Sequence, residues 1–229
     1  MRRPIVLMIV AALACLFVSQ AFTAATPQLP MSNLYTEAGK LSPLKAGMTY
    51  QASKFPLALR VTAPDASWLG AQWKLSARGF HSTKAPFFGW VALSDSFENA
   101  APQGLIIIFA SWVHTPSVAA TVRNLQRGHG ANYQATSPVA LGGFSGSQFD
   151  GTVIGKSHTF IPFTPRQNIA RYYGDANQLD KGEAFRIIVL NVRHKTVVIY
   201  INSAALTPAK FSIFLPKANN ILKSLKFPG

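Results

Sequence analysis

Acidic residues and cysteine are what this chain has least of. Eight Asp and Glu stand against 22 Lys and Arg, and the one cysteine is Cys15. Cys15 lies inside an N-terminal apolar run. The chain beyond it therefore has no disulfide, no thiolate nucleophile and no cysteine-based metal site. Charged residues of both signs make up only 13% of the chain against 48% hydrophobic, which argues against disorder. With 229 residues the chain is long enough to bury a core without covalent staples, and fits one domain plus a leader.

The missing acids leave a formal net charge of +14. Such a surface draws polyanions: nucleic acid, anionic lipid head groups or acidic wall polymers. The same charge also serves plain solubility, because no dense Lys/Arg cluster occurs. For nucleic acid the expected pattern is basic residues interleaved with aromatics, and one stretch alone comes near it. Nucleic acid is not the expected partner.

The N-terminus has the form of an export leader. Met1-Arg2-Arg3 is a positive start, and Ile5 to Val18 is an unbroken apolar run, too short for a comfortable membrane span. Ser19-Gln20-Ala21 and Thr23-Ala24-Ala25 both fit small-x-small cleavage, and the second is preferred. Residues 1–25 are thus expected as a signal peptide, and the protein is expected to be secreted or to sit in the extracytoplasmic envelope. Two other fates stay open: lipidation at Cys15, within the weak lipobox Ala12-Leu13-Ala14-Cys15, and an uncleaved N-terminal anchor. Residues 26–47, rich in Pro, Gly, Ser and Ala, read as a flexible arm, and 48–229 as a single α+β domain.

Within that domain, 48–52 and 55–62 read as short strands, the second from the alternation of Phe55, Leu57, Leu59 and Val61. Ala63-Pro64-Asp65 is a turn. Trp68 and Trp73 flank Gly70, and at least one is expected in the core. Residues 87–93 form a strand, and the β-branched run 105–110 a central one buried on both faces. A helix follows, with Thr115 as cap, Pro116 in its first position and Gly128 at its stop. Val118, Val122 and Leu125 are its apolar stripe. Strands at 139–141 and 147–154 flank Gly142-Gly143 as one hairpin. A second joins 185–192 to 196–201 through the turn Arg193-His194-Lys195. A last helix begins at Thr207-Pro208 and carries Phe211, Phe214, Leu215, Ala218, Ile221, Leu222 and Leu225 inward. Pro216 must kink or restart it. Lys210, Lys217 and Lys223 fall off that stripe and read as a solvated face. Strands, helix, hairpins, helix is the order of an α+β fold with an antiparallel sheet flanked by helices. Residues 155–183 stand apart as a long insertion loop.

Four pieces of sequence carry a resemblance. Phe55-Pro56-Leu57 leads through Val61 to Pro64-Asp65 and Trp68. Val139-Ala140-Leu141-Gly142-Gly143-Phe144-Ser145-Gly146 is a strand and turn. Val197-Val198-Ile199-Tyr200 follows the penultimate turn, and 211–227 is a closing helix with a short final strand. Together they resemble the Mog1/PsbP-like fold, an α/β/α sandwich. The chain is similar in particular to uncharacterised secreted proteins and lipoproteins of actinobacteria built on it. The resemblance implies an accessory or protein-binding module rather than an enzyme, and it names a fold, not a site.

No catalytic residue, metal site or cofactor is expected. Gly143-Phe144-Ser145-Gly146-Ser147 falls one glycine short of a hydrolase elbow and lies between strands rather than before a helix. His81, His114, His129, His158 and His194 show no ligand spacing. Asp150 and Glu183 are the one acid pair that neighbouring strand ends could bring together for glycosidic chemistry. The expected partner site is the insertion, with Phe160, Phe163, Arg166, Arg171, Tyr172 and Tyr173, together with Arg193, His194 and Lys195. Its partner would be an envelope protein or an anionic wall or lipid surface. The alternative is that the aromatics of the insertion merely cover the open sheet face. Two other functions stay open: a hydrolase with a dispersed site beside Ser145 or Asp150, and a carrier holding an apolar ligand against Phe160 and Phe163.

Overall fold

The β-branched runs of the sequence become the middle of one antiparallel sheet. A computed structural model describes residues 25–31, 41–75, 88–95, 104–111, 116–127, 129–159, 178–202 and 207–229. In chain order its elements begin with β1 (Ser42–Pro43), β2 (Thr49–Ala52), β3 (Leu59–Thr62), β4 (Trp68–Leu75), β5 (Phe88–Asp95) and β6 (Gly104–Ser111). Helix α1 (Val118–Leu125) follows, then β7 (Ala131–Tyr133), β8 (Ser137–Leu141), β9 (Phe144–Val153), β10 (Ser157–Thr159) and β11 (Gln178–Asp180). The chain closes with β12 (Ala184–Val192), β13 (Lys195–Asn202) and helix α2 (Pro208–Lys223). The main sheet runs β1-β4-β5-β6-β13-β12-β9-β7, with β8 also on β9. The architecture is α+β, mostly antiparallel sheet with two helices.

Strands β6 and β13 lie at its centre, pairing Ile106 with Ile201 and Ile108 with Ile199. Both faces of each are apolar, so both must be covered. One face, with Ile106, Ile108, Ile188 and Ile199, packs against Phe211, Phe214, Ala218, Ile221 and Leu222 of α2 and against the β2–β3 hairpin. The other, with Ile107, Phe109, Ile187 and Val198, packs against Val122 and Leu125 of α1. The helices therefore sit on opposite faces of the sheet.

Several boundaries differ from the sequence reading, each for a local reason. Residues 55–58 are a bend rather than strand, because Pro56 has no N–H to give a ladder. Phe55 still turns inward. Ser117 caps α1, accepting from the Ala120 amide at 3.2 Å. Thr115 lies outside the described residues, and Pro116 precedes the cap instead of opening the helix. Its carbonyl accepts from the Thr196 hydroxyl. The turn between β12 and β13 has two residues, not three. Arg193 and His194 take φ of 51° and 66°, and Lys195 already pairs with Val192. Positive φ at both central positions matches the twist of a two-residue hairpin, and Gly142-Gly143 builds the same turn between β8 and β9. Helix α2 runs through Pro216. The bond that proline forfeits falls on the solvent side, where Ser212 and Pro216 are both exposed and water can reach the carbonyl.

The described parts of residues 26–47, expected as a loose arm, are held against the sheets. Leu29 and Leu44 are 1% and 2% exposed and belong to the α2-side core. The Leu29 amide donates to Gln51 O, the Gln51 amide to Pro27 O and the Gln72 amide to Pro30 O. The Gln72 side chain adds a bond to Leu29 O at 2.7 Å. Gly70 makes room for this packing. A Cβ there would lie 2.9 Å from a Leu44 methyl and 3.2 Å from a Leu29 methyl.

Candidate functional site

Of the five described acids, three are spent inside the protein. Asp95, at the end of β5, is wholly buried, and the Lys217 ammonium reaches its Oδ2 at 2.7 Å. Lys217 is thus not part of a solvated face as its spacing suggested. Asp150 on β9 is held in a two-pronged pair by Arg186 on β12, at 2.6 and 2.7 Å. The bond to Asp150 raises the Arg186 pKa against the opposing pull of burial. Glu183 is buried, and its Oε2 accepts from the Asp180 amide at 2.8 Å. Of the described acids only Asp65 and Asp180 are exposed.

Asp150 and Glu183 do not converge as an acid pair. Arg186 and the Asp180 amide engage them separately, and strand parity turns them to opposite faces. Asp150 lies with Arg186 on the α2 face, whereas Glu183 lies on the α1 face beside Tyr200. Burial first, then the nearby Glu183, pushes the Tyr200 phenol well above its usual ionisation range, while the neighbouring Asn202 works the other way. Ser145 also faces away from Asp150. It stands five residues along the same unbroken strand, about 17 Å at the usual strand rise. Ser145 is exposed on β9 just past the Gly142-Gly143 turn, the hairpin setting expected for it.

A groove lies between the start of α2 and the paired end of β9 and start of β12. Asp150, Thr152, Phe211, Ser212 and Leu215 are among its lining residues, and its volume is about 210 Å³. Cavities that enclose drug-sized ligands run from about 300 Å³ upward. Among the described residues no cluster of His, Cys, Asp and Glu could hold a metal ion.

The expected partner site divides. Phe160, Phe163, Arg166, Arg171, Tyr172 and Tyr173 lie outside the described residues. The base of their insertion is the small β10–β11 ladder, pairing Ser157 with Asp180. Arg193, His194 and Lys195 stand at the far end of β12, about 27 Å from its start at the usual rise. Arg193 is tied back to the chain: its Nη1 donates to Pro228 O at 2.7 Å and its Nη2 to Phe227 O at 2.8 Å.

Among the described residues, basic ones dominate the outside. Lys45, Lys54, Arg123, Arg127 and Lys156 are exposed, as are Lys181, Arg193, Lys210, Lys223 and Lys226. One grouping of them was not visible in the sequence. Beyond α2 the chain lies alongside β3, with Arg60 N bonded to Lys226 O at 2.8 Å and Lys226 N to Arg60 O at 3.0 Å. Leu225 and Phe227 turn inward, so Lys226 turns outward beside Arg60. On the other side of Arg60 stands Gln51, and beside Gln51 the Gln28 of the N-terminal arm. Gln28, Gln51, Arg60 and Lys226 form one row across four neighbouring backbone segments. The Arg60 Nε is buried and meets no acceptor. Like charges directly opposite across a ladder repel, and no described acid pairs with either. The signal that could have found the row is the alternation of Leu225, Lys226 and Phe227 after a helix end.

Comparison with protein-family models and with curated proteins finds no match to this chain.

Proposed function

We propose that this chain is an exported, non-catalytic binding or accessory domain of the cell envelope that engages an anionic partner through its basic surface. The observation that carries the reading is how charge is allocated. Asp95, Asp150 and Glu183 are turned inward and neutralised or hydrogen-bonded there, while ten basic side chains stand exposed against two acids among the described residues. A surface of one sign raises the local concentration of polyanions and steers their encounter. The export leader read from the sequence makes wall polymers and lipid head groups the accessible ones. Helices on both faces of an antiparallel sheet are in keeping with a Mog1/PsbP-like sandwich, and we read the fold so. The non-catalytic part of the reading is supported by Asp150, whose two carboxylate oxygens are both engaged by Arg186.

Retention of the protein on immobilised polyphosphate, measured as salt is raised, tests this. Attraction between exposed charges should fade as the screening length shrinks from about 10 Å at 0.1 M to about 3 Å at 1 M. Retention that ignores salt, or no retention at low salt, overturns the electrostatic reading.

A further inference from the structure

The N-terminal arm and the basic row share one small sheet, and this places the row relative to the leader. We infer that the face bearing Arg60 and Lys226, with Lys45 and Lys223 at its margin, is the surface by which the domain lies on a membrane, taking the phosphate groups of anionic lipids. The inference rests on the anion-binding reading above and goes further by naming partner and place.

The connectivity is explicit in the backbone. Gln28 bridges Gln51 in the parallel sense, Gln51 pairs with Arg60, and Arg60 with Lys226. Neighbouring segments in such a ladder lie about 4.8 Å apart, so the arm and Lys226 are about 14 Å from each other. Because the arm runs parallel to β2, its first described residues lie level with the start of that strand. There Ser224 bonds the Thr62 amide at 2.9 Å, which brings Lys223 alongside. The Tyr50 hydroxyl accepts from the Lys45 amide at 2.9 Å and holds that lysine at the same end. The nearest described acid in the chain is Asp65, and its Oδ1 is occupied by the amide and hydroxyl of Ser67.

Two of the leader's three fates, an uncleaved anchor and lipidation at Cys15, keep the arm at a membrane and make lipid the occupant. The apolar run ends at Val18 and the arm is docked from Pro27, with residues 19–26 between them. Eight residues reach at most about 28 Å. While the run sits in a membrane, the arm is held within that distance of the head groups, and so is the row beside it; a lipid on Cys15 leaves residues 16–26 between and lengthens the reach to about 40 Å. The unrelieved pair of like charges is what an anion would bridge. Juxtamembrane Lys and Arg gain from anionic head groups in this way, about fivefold in affinity for each side chain.

The test is the partition of the full chain into vesicles of phosphatidylcholine alone and of phosphatidylcholine mixed with phosphatidylglycerol. The readout is the ratio of the two partitions, which cancels the contribution of the apolar leader. One variant carries Lys45→Gln, Lys223→Gln and Lys226→Gln. A control carries Arg123→Gln, Arg127→Gln and Lys181→Gln, removing equal charge elsewhere, two of the three from the α1 face. All six side chains are exposed, so folding should survive. We expect the first variant to lose at least about tenfold of the ratio and the control less than about threefold. Thermal unfolding is a second readout: Lys226→Gln alone should raise the midpoint at low salt, because it removes a repulsion. Equal losses from both variants would overturn the placement and leave general anion binding standing. A wild-type ratio of one, with retention on polyphosphate intact, would make the partner a wall polymer and overturn the lipid assignment. A ratio of one without that retention would sink both readings.

Discussion

Replacing Leu29 by alanine asks whether the N-terminal arm is part of the fold. Leu29 is 1% exposed and packs with Leu44 over Gly70. Removing a fully buried leucine side chain loses its transfer free energy plus a cavity term, together about 2–5 kcal/mol. The arm lies at the margin of the sheet and can peel away, so the loss cannot exceed the free energy with which the arm docks. The lower part of the range, about 2–3 kcal/mol, is therefore expected. For a chain of this size that lowers the unfolding midpoint by about 4–12 °C. Circular dichroism melts of the full chain measure it, with Met31→Ala as control. Met31 is 57% exposed in the same arm, and its loss should stay within about 0.5 kcal/mol. Hydrogen exchange gives an independent reading: the amides of Gln51 and Gln72 donate to Pro27 O and Pro30 O and should lose protection in Leu29→Ala. If the two variants melt alike, and those amides exchange as freely in the wild type as exposed ones, the arm is not docked and the reasoning fails.

Two further outcomes follow from the buried polar groups. Lys217→Met leaves the wholly buried Asp95 carboxylate uncompensated and should cost about 3 kcal/mol, low for a buried pair because Lys217 is 40% exposed; urea denaturation should find Lys217→Met with Asp95→Asn less destabilised than Lys217→Met alone. Tyr200 is held protonated by burial and by Glu183, with its folded pKa above the usual value of 10.0. The stability that its neutral form contributes is fully present below pH 10 and is lost as pH rises through the folded pKa, because the unfolded chain releases the proton first. Stability measured against pH should therefore fall on the alkaline side, and Tyr200→Phe should flatten that fall; an identical alkaline limb in the variant would contradict it.

The central sheet was legible because its signal is local. The run Leu105 to Ala110 is β-branched and apolar throughout, and its place between β5 and β13 follows from needing cover on both faces. The hairpin at Gly142-Gly143 and the stripe of α2 were legible for the same reason. The Arg193-His194 turn is one residue shorter than its sequence suggests, because that sequence lacks the glycine or asparagine that usually marks positive φ. Arg193 instead spends its guanidinium on the carbonyls of Phe227 and Pro228, a tertiary contact that no local pattern announces.

The arm and the basic row escaped the sequence for a different reason. Residues 26–47 carry the composition of a linker, and composition cannot tell a free linker from one in which Leu29 and Leu44 find a gap. The gap is made by the absence of a side chain at Gly70, on another strand. Lys226 likewise reads as one charge among many until the end of α2 lays it against Arg60. Each half of the row is unremarkable alone, since an isolated exposed lysine costs nothing and an arginine on a hairpin needs no partner. Their adjacency creates the repulsion, and it exists only once α2 has packed. A charge pair that folding brings together at a cost, with the Arg60 Nε lacking an acceptor and no described acid paired to it, is what carries the proposal of a binding surface here. The total charge of +14 could not make that distinction, because it counts residues without saying which of them meet.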